Sequence, residues 1–246
     1  MSGHSKWATI KHAKGAADAK RGQMFTKLIK EITITARMGG GSPDSNPRLR
    51  TAILKARGAN MPKDNITNAI KKGTGELEGV SYEELAYEAF LGGGVGLFIE
   101  VLTDNKNRAA ADVRNLLTRG GGELAKAGSV SRLFKRQGII TIDGEKYTED
   151  QIMEIALDGG AEDVALSDGI IEVTTKPEDF ETVADALNEK GIETMSAEVS
   201  MVADVEVALD KDATGKALKL IDRLEENEDV QNVYSNLEIP EGFEAE

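Results

Sequence analysis

After Val80 the chain stops repeating apolar residues at helical spacing and alternates short β-rich runs with amphipathic segments, a pattern that restricts it to layered α/β packing. Residues 138–202 show this best. Ile139–Ile142 reads as a strand and Thr148–Asp158 as a helix; Val164–Leu166 and Ile170–Thr175 are strands joined by a tight turn at Asp168-Gly169. Pro177 opens a helix that runs to Lys190 and stops at Gly191, and Thr194–Met201 is the closing strand. In order this is βαββαβ, a complete ferredoxin-like unit. Before it come a strand at Leu97–Thr103, a helix at Asn107–Thr118 and a strand at Val130–Lys135, separated from the next strand by Gly138. After it come a strand at Val205–Leu209, a helix at Ala213–Glu226 and a strand at Val230–Leu237. Neither flank has enough strands to bury a sheet face alone. Joined in space, residues 76–137 with 203–246 make a second four-stranded unit, into which residues 138–202 are inserted.

The first 75 residues read differently. Residues 1–17 are small, polar and basic, as in an extended arm, with Trp7 and Ile10 the only large apolar side chains. From Asp18 to Arg37 the periodicity is helical: Phe25, Leu28, Ile29, Ile32 and Ala36 fill one stripe, and Lys20, Lys27, Lys30 and Arg37 lie opposite. Gly39-Gly40-Gly41 ends this helix. A second helix opens at Asn46-Pro47, an N-cap followed by Pro at the first helical position, and buries Leu49, Ile53 and Ala56 on its way to about Ala59. A third opens at Pro62, packs Ile66, Ala69 and Ile70, and closes on Lys71, Lys72 and a Gly73 cap. The expected fold class is α+β: an N-terminal three-helix bundle with a basic arm (residues 1–75), plus two ferredoxin-like α/β domains, one inserted in the other.

The formal net charge of −13, taken whole, argues against a nucleic-acid partner. Its distribution argues the opposite. Residues 1–75 hold 15 Lys/Arg against 4 Asp/Glu, a net of +11; residues 76–136 are near neutral at −1; residues 137–246 hold 7 against 30, a net of −23. Lys and Arg neutralise phosphates and release counterions, which gives affinity without sequence reading. The arm offers Lys6, Lys11, Lys14 and His12, with Trp7 placed either to stack on a base or to anchor the arm in a core. The bundle adds Lys20, Arg21, Lys27, Lys30, Arg37, Arg48, Arg50, Lys55, Arg57, Lys63, Lys71 and Lys72. No exposed turn stands out as a row of base-reading side chains, so backbone recognition of DNA or of structured RNA fits these residues as well as sequence readout does. The −23 segment keeps the protein dispersed, repels nucleic acid from the wrong face, or meets basic partners such as ribosomal proteins.

Other classes fall away. With no Cys there are no disulfides, thiolate metal sites or cysteine nucleophiles. Gly92-Gly93-Gly94-Val95-Gly96 lacks the last glycine of a dinucleotide fingerprint and precedes a strand, and no phosphate-loop motif occurs. His4 and His12 have no catalytic partners nearby in sequence. The expectation is a non-enzymatic protein without cofactor or metal. The longest apolar run, Val95 to Leu102, is far short of the ~20 residues of a membrane span. The opening Met-Ser-Gly-His-Ser-Lys-Trp has no apolar signal core, so a cytoplasmic location is expected.

Gly3-His4-Ser5-Lys6-Trp7, Lys20-Arg21-Gly22, Asn46-Pro47-Arg48-Leu49-Arg50 and Asn60-Met61-Pro62-Lys63-Asp64-Asn65-Ile66 closely resemble the YebC/PmpR family. Its mitochondrial relative is the translational activator of cytochrome oxidase subunit I. The resemblance continues through Thr103-Asp104-Asn105-Lys106-Asn107-Arg108, Gly159-Gly160-Ala161-Glu162-Asp163 and Ala197-Glu198-Val199-Ser200-Met201, and so covers essentially the whole chain. It implies a cytoplasmic three-domain protein with an N-terminal helical domain and two α/β domains. Members of the family are described as DNA-binding transcriptional regulators, and others as ribosome-associated factors that aid translation. The resemblance thus leaves two roles, a regulator at promoter DNA and a translation factor on ribosomal RNA, beside a third reading as an acidic interaction scaffold.

Overall fold

The computed structural model describes residues 18–240, among which seven α-helices and two four-stranded antiparallel sheets form an α+β fold. Helices α1 (Asp18–Gly39), α2 (Pro47–Gly58) and α3 (Lys63–Thr74) make the bundle. Its core is Leu28, Ile32 and Ala36 of α1 against Leu49, Ala52, Ile53 and Ala56 of α2 and Ile66 and Ala69 of α3. The expected second and third helices both form. Asn46 caps α2 by accepting from Leu49 N at 3.2 Å, while its amide donates to the carbonyls of Thr35 and Gly40, each at 2.9 Å, and so ties the end of α1 to the start of α2. The cap of α3 is Gly75, in the left-handed conformation at φ 83°, and not Gly73. Gly73 lies inside the helix because a Cβ there would strike the Thr33 carbonyl and the Ala36 side chain of α1.

The first sheet has the order β3-β1-β2-β8, from β1 (Glu83–Phe90), β2 (Gly96–Thr103), β3 (Glu123–Leu124) and β8 (Val230–Ser235). Helices α4 (Lys106–Arg119) and α7 (Lys211–Glu225) bury Val113, Leu117, Leu218, Ile221 and Leu224 against Leu97, Ile99 and Val233 of the sheet. The strands of this unit differ from those expected. β1 is new: its Ala and Glu favour helix, but Leu85, Tyr87 and Ala89 alternate toward the core and the whole strand pairs with β2. Residues 205–209 contribute only an isolated bridge, Val207 to Leu237.

The second sheet comes from residues between those of the first, in the order β5-β6-β4-β7: β4 (Phe134–Asp143), β5 (Ala161–Ser167), β6 (Ile170–Thr175) and β7 (Thr194–Ala203). The last strand lies beside the first and the third separates the first from the second, as in a ferredoxin-like unit. Helices α5 (Glu149–Asp158) and α6 (Phe180–Glu189) cover one face, with Ile152, Val183 and Leu187 on Ile140, Ile171 and Val173. The Asp168-Gly169 turn has positive φ at both residues, 51° and 75°, which the tight hairpin between β5 and β6 requires. The two strands expected around Gly138 are one strand, β4. Gly138 is no break but a space for Phe180 and Thr175, which a Cβ would meet.

The ends of β4 and β7 leave this core and join the other unit through a small apolar cluster in which Phe134, Met201 and Ala203 pack with Val130, Phe98 and Tyr234. The connecting loop is held by Glu88 of β1, whose carboxylate accepts from the backbone N–H groups of Gly128, Val130 and Ser131 at 2.8, 2.5 and 3.2 Å. Burial alone pushes the Glu88 carboxyl up, but these three donors outweigh it and hold the group below the usual carboxylate range. No helix among the described residues is long and apolar enough to cross a membrane.

Candidate nucleic-acid interface

Five of the sequence-predicted contacts, Lys6, Trp7, Lys11, His12 and Lys14, lie outside the described residues, as does the side chain of Lys20. The others divide by what they touch, and the division follows the helix each sits on.

Two members of the basic stripe of α1, Lys27 and Lys30, turn inward. Lys30, expected on a solvent-facing nucleic-acid surface, is 7% exposed. Its ammonium donates to Asp229 Oδ1 at 2.8 Å and to the Glu228 carbonyl at 2.9 Å, and lies 5.7 Å from the centre of the Tyr82 ring. Lys27, half-buried, donates to the Glu225 carbonyl at 2.5 Å. These carbonyls belong to the end of α7 and the turn after it, where a helix leaves unpaired acceptors and the negative end of its dipole. Lys27 and Lys30 therefore cap α7. Asp229 is held from its other side by Arg108 of α4, which donates to Oδ2 from Nη2 at 2.8 Å and from Nε at 3.2 Å. Burial would raise the Asp229 carboxyl; the bonds from Lys30 and Arg108 outweigh it and keep the group below the usual carboxylate range. Arg37 is exposed and donates to Ser81 Oγ at 2.6 Å, and Arg21 is exposed at the start of the helix.

On α2 the cations form two rows. Arg48 and Lys55 are seven residues apart, as are Arg50 and Arg57, so at about 100° per residue each pair shares one side of the helix, ~10 Å apart along its axis. The rows flank the buried stripe of Leu49, Ala52, Ile53 and Ala56. Three of the four cations meet carboxylates of the sheet units. Arg48 pairs with Glu84 of β1, Arg50 Nη2 with Glu181 of α6 at 2.7 Å, and Lys55 Nζ with Glu198 of β7 at 3.2 Å. Burial lowers the pKa of Lys55, yet the charge and hydrogen bond of Glu198 together with the charges of Glu31 and Glu100 more than compensate, and the ammonium is held above its ordinary value.

Arg57 is the fourth, exposed and without an ion pair among the described residues. So are three lysines of α3: Lys71 opposite the buried Ile66, Ala69 and Gly73, and Lys63 and Lys72 on its two flanks. The structure thus keeps four of the predicted cations open, Arg57 and Lys63 beside the α2–α3 turn and Lys71 and Lys72 about 12 Å farther along α3, and turns Lys30, Arg48, Arg50 and Lys55 to carboxylates of the chain itself. Sequence reasoning missed Arg108 and the carboxylates Asp229, Glu84, Glu181 and Glu198; all but Asp104–Arg108 are partners distant in sequence, and three of the four carboxylates were visible only as part of an acidic second half. Among the described residues no group of three or more His, Asp or Glu is arranged to hold a metal ion.

Known proteins match this chain along nearly all of its length. The family model for the TACO1/YebC protein N-terminal domain matches residues 5–76, and that for the TACO1/YebC second and third domain matches residues 82–237. A protein of Treponema denticola named "Probable transcriptional regulatory protein" is 67% identical over 244 residues, covering 99% of each chain. One of the same name from Treponema pallidum is 65% identical over 240 residues, covering 98% of each. The crystal structure of a conserved hypothetical protein from Aquifex aeolicus superposes with a TM-score of 0.82 at 43% identity, covering 91% of this chain and 93% of that one. The chain belongs to the TACO1/YebC family, whose close relatives are named as regulators of transcription.

Proposed function

We propose that the protein is a non-enzymatic, nucleic-acid-binding regulator of gene expression acting in the cytoplasm. The helical head makes the contact and the two sheet units serve as scaffold. Its working parts follow residues 1–75, 76–137 with 203–246, and 138–202. The observation that carries this reading is the set Arg57, Lys63, Lys71 and Lys72, four exposed cations without an ion pair among the described residues, in a chain of net charge −13. A single surface lysine is ordinarily just solvated. Four left open along two adjacent helices, in a chain with so many carboxylates to spare, make a row that phosphates can meet. The names of the relatives support promoter DNA as the target.

A second reading, a translation factor held on ribosomal RNA, draws support from the residues beside those cations. Three of the four are lysines, point charges suited to phosphates, and the exposed amides nearby are Asn60 and Asn68. Crosslinking in cells followed by sequencing of the bound RNA and DNA tests both. Enrichment of promoter DNA supports the first reading and enrichment of ribosomal RNA the second. Enrichment of neither overturns nucleic-acid binding and leaves an interaction scaffold.

A further inference from the structure

The three parts of the molecule are joined by contacts of unequal strength. The bundle meets the first sheet unit through the buried Lys30–Asp229 pair. The inserted unit meets the first sheet unit through the apolar cluster of Phe134, Met201 and Tyr234. Bundle and inserted unit have separate cores, with no buried apolar residue in common. What links those two is a pair of ion pairs, Arg50–Glu181 at 2.7 Å and Lys55–Glu198 at 3.2 Å, in which each of the four side chains keeps more than a third of its surface in solvent. Half-buried pairs that keep this much solvent contact contribute modestly and can be exchanged for another anion.

Both cations sit on α2, the helix that also carries Arg57, and Arg50 shares a row with Arg57 about 10 Å away along the axis. A polyphosphate chain docked on Arg57 and on the lysines of α3 brings further phosphates within reach of that row. It also gains from counterion release, which a carboxylate of the same chain does not offer. We propose that Arg50–Glu181 and Lys55–Glu198 are a latch: nucleic acid bound at the head exchanges its phosphates for the two carboxylates and releases the inserted unit from the bundle. The proposal rests on the nucleic-acid reading above and adds its regulation. The latched form masks two of the head's cations, and the released unit stays tethered by β4 and β7 and by the apolar cluster at their ends.

The test compares the full chain with a latch variant, Glu181→Gln with Glu198→Gln, and a charge-matched control, Asp185→Asn with Glu189→Gln, whose carboxylates are exposed and unpaired among the described residues. The probes are a mixed-sequence DNA duplex and an RNA hairpin, titrated over a range of salt. The latch variant is expected to bind at least one probe about two- to thirtyfold more tightly than the wild type at low salt, with a log–log salt slope steeper by up to about 2. The control is expected to gain much less. Because the chain has no Cys, dyes can be placed uniquely at Met38→Cys and Asn188→Cys, both exposed, and energy transfer between them should change when the wild type binds but not when the latch variant does. Equal gains in latch and control variants, or unchanged transfer on binding, overturn the latch and leave nucleic-acid binding standing. Absence of binding by all three proteins overturns both.

Discussion

Lys30 and Asp229 stand 199 positions apart in sequence and 2.8 Å apart in the fold, a buried ion pair that fastens the helical head to the last turn before β8. Arg108 closes the other side of the same carboxylate, so one acid joins α1, α4 and the end of α7.

Removing Lys30 leaves the buried Asp229 carboxylate with Arg108 as its remaining cation and Oδ1 without that donor. Lys30→Met is expected to destabilise the protein by about 1–3 kcal/mol, read as a lower midpoint in urea unfolding. Lys30→Met combined with Asp229→Asn should recover part of the loss. If the single variant unfolds at the wild-type midpoint, the pair does not hold the head.

Acid should unfold the protein through Asp229 and Glu88. Each carboxyl is lowered in the folded state, because donors outweigh the raising effect of burial. A lowered carboxyl contributes stability that is fully present above its unfolded value of about 4 and is lost as pH falls through the folded value. Stability from these two groups should therefore be flat from pH 7 to about 5 and decline below about 4. Glu88→Gln should be less stable at neutral pH and show a shallower acid limb. An acid limb identical to the wild type's would mean that the Glu88 contacts carry no linkage.

Gly73→Ala gives opposite signs under two accounts. By helix propensity the change would stabilise α3 by about 1 kcal/mol. By packing it should cost about 1–3 kcal/mol, since the new methyl strikes the Thr33 carbonyl and Ala36 of α1. Loss of stability in thermal melts is expected.

Neutralising the open cations should change binding without changing the fold. Lys63→Gln, Lys71→Gln and Lys72→Gln together are expected to reduce the salt slope of nucleic-acid binding by about 1 per lysine while the melting temperature stays within about 2 °C of the wild type's. A lowered melting temperature with an unchanged slope would assign these lysines to the fold instead.

Local signals were legible and long-range ones were not. The Asn46-Pro47 start of α2, the Asp168-Gly169 hairpin and the βαββαβ order of the inserted unit are each encoded within a few residues, and each is present in the structure. β1 escaped because Glu83–Phe90 is built from helix formers and becomes a strand only through its pairing with β2. Gly138 misled because a glycine in a strand pattern marks either an end or a close approach, and Phe180, the residue that decides, lies on another element. Lys30 was the costliest misreading. A lysine row opposite an apolar stripe has the same sequence whether it faces water or the carbonyls at the end of another helix. The acid-rich turn Glu225 to Asp229 that receives it is almost the whole chain away.

That separation also sets an order of assembly. On a ribosome adding about 5–20 residues per second, the residue that neutralises Lys30 is made roughly 10–40 s after Lys30 itself. β8, the edge strand that closes the first sheet, follows Asp229 directly. Nascent chains cut short before residue 229 therefore carry a basic head with its lysines bare and a sheet with one edge unfilled. Synthesis through β8 turns that fragment into a fold in which Lys27 and Lys30 are engaged and Arg57, Lys63, Lys71 and Lys72 remain open.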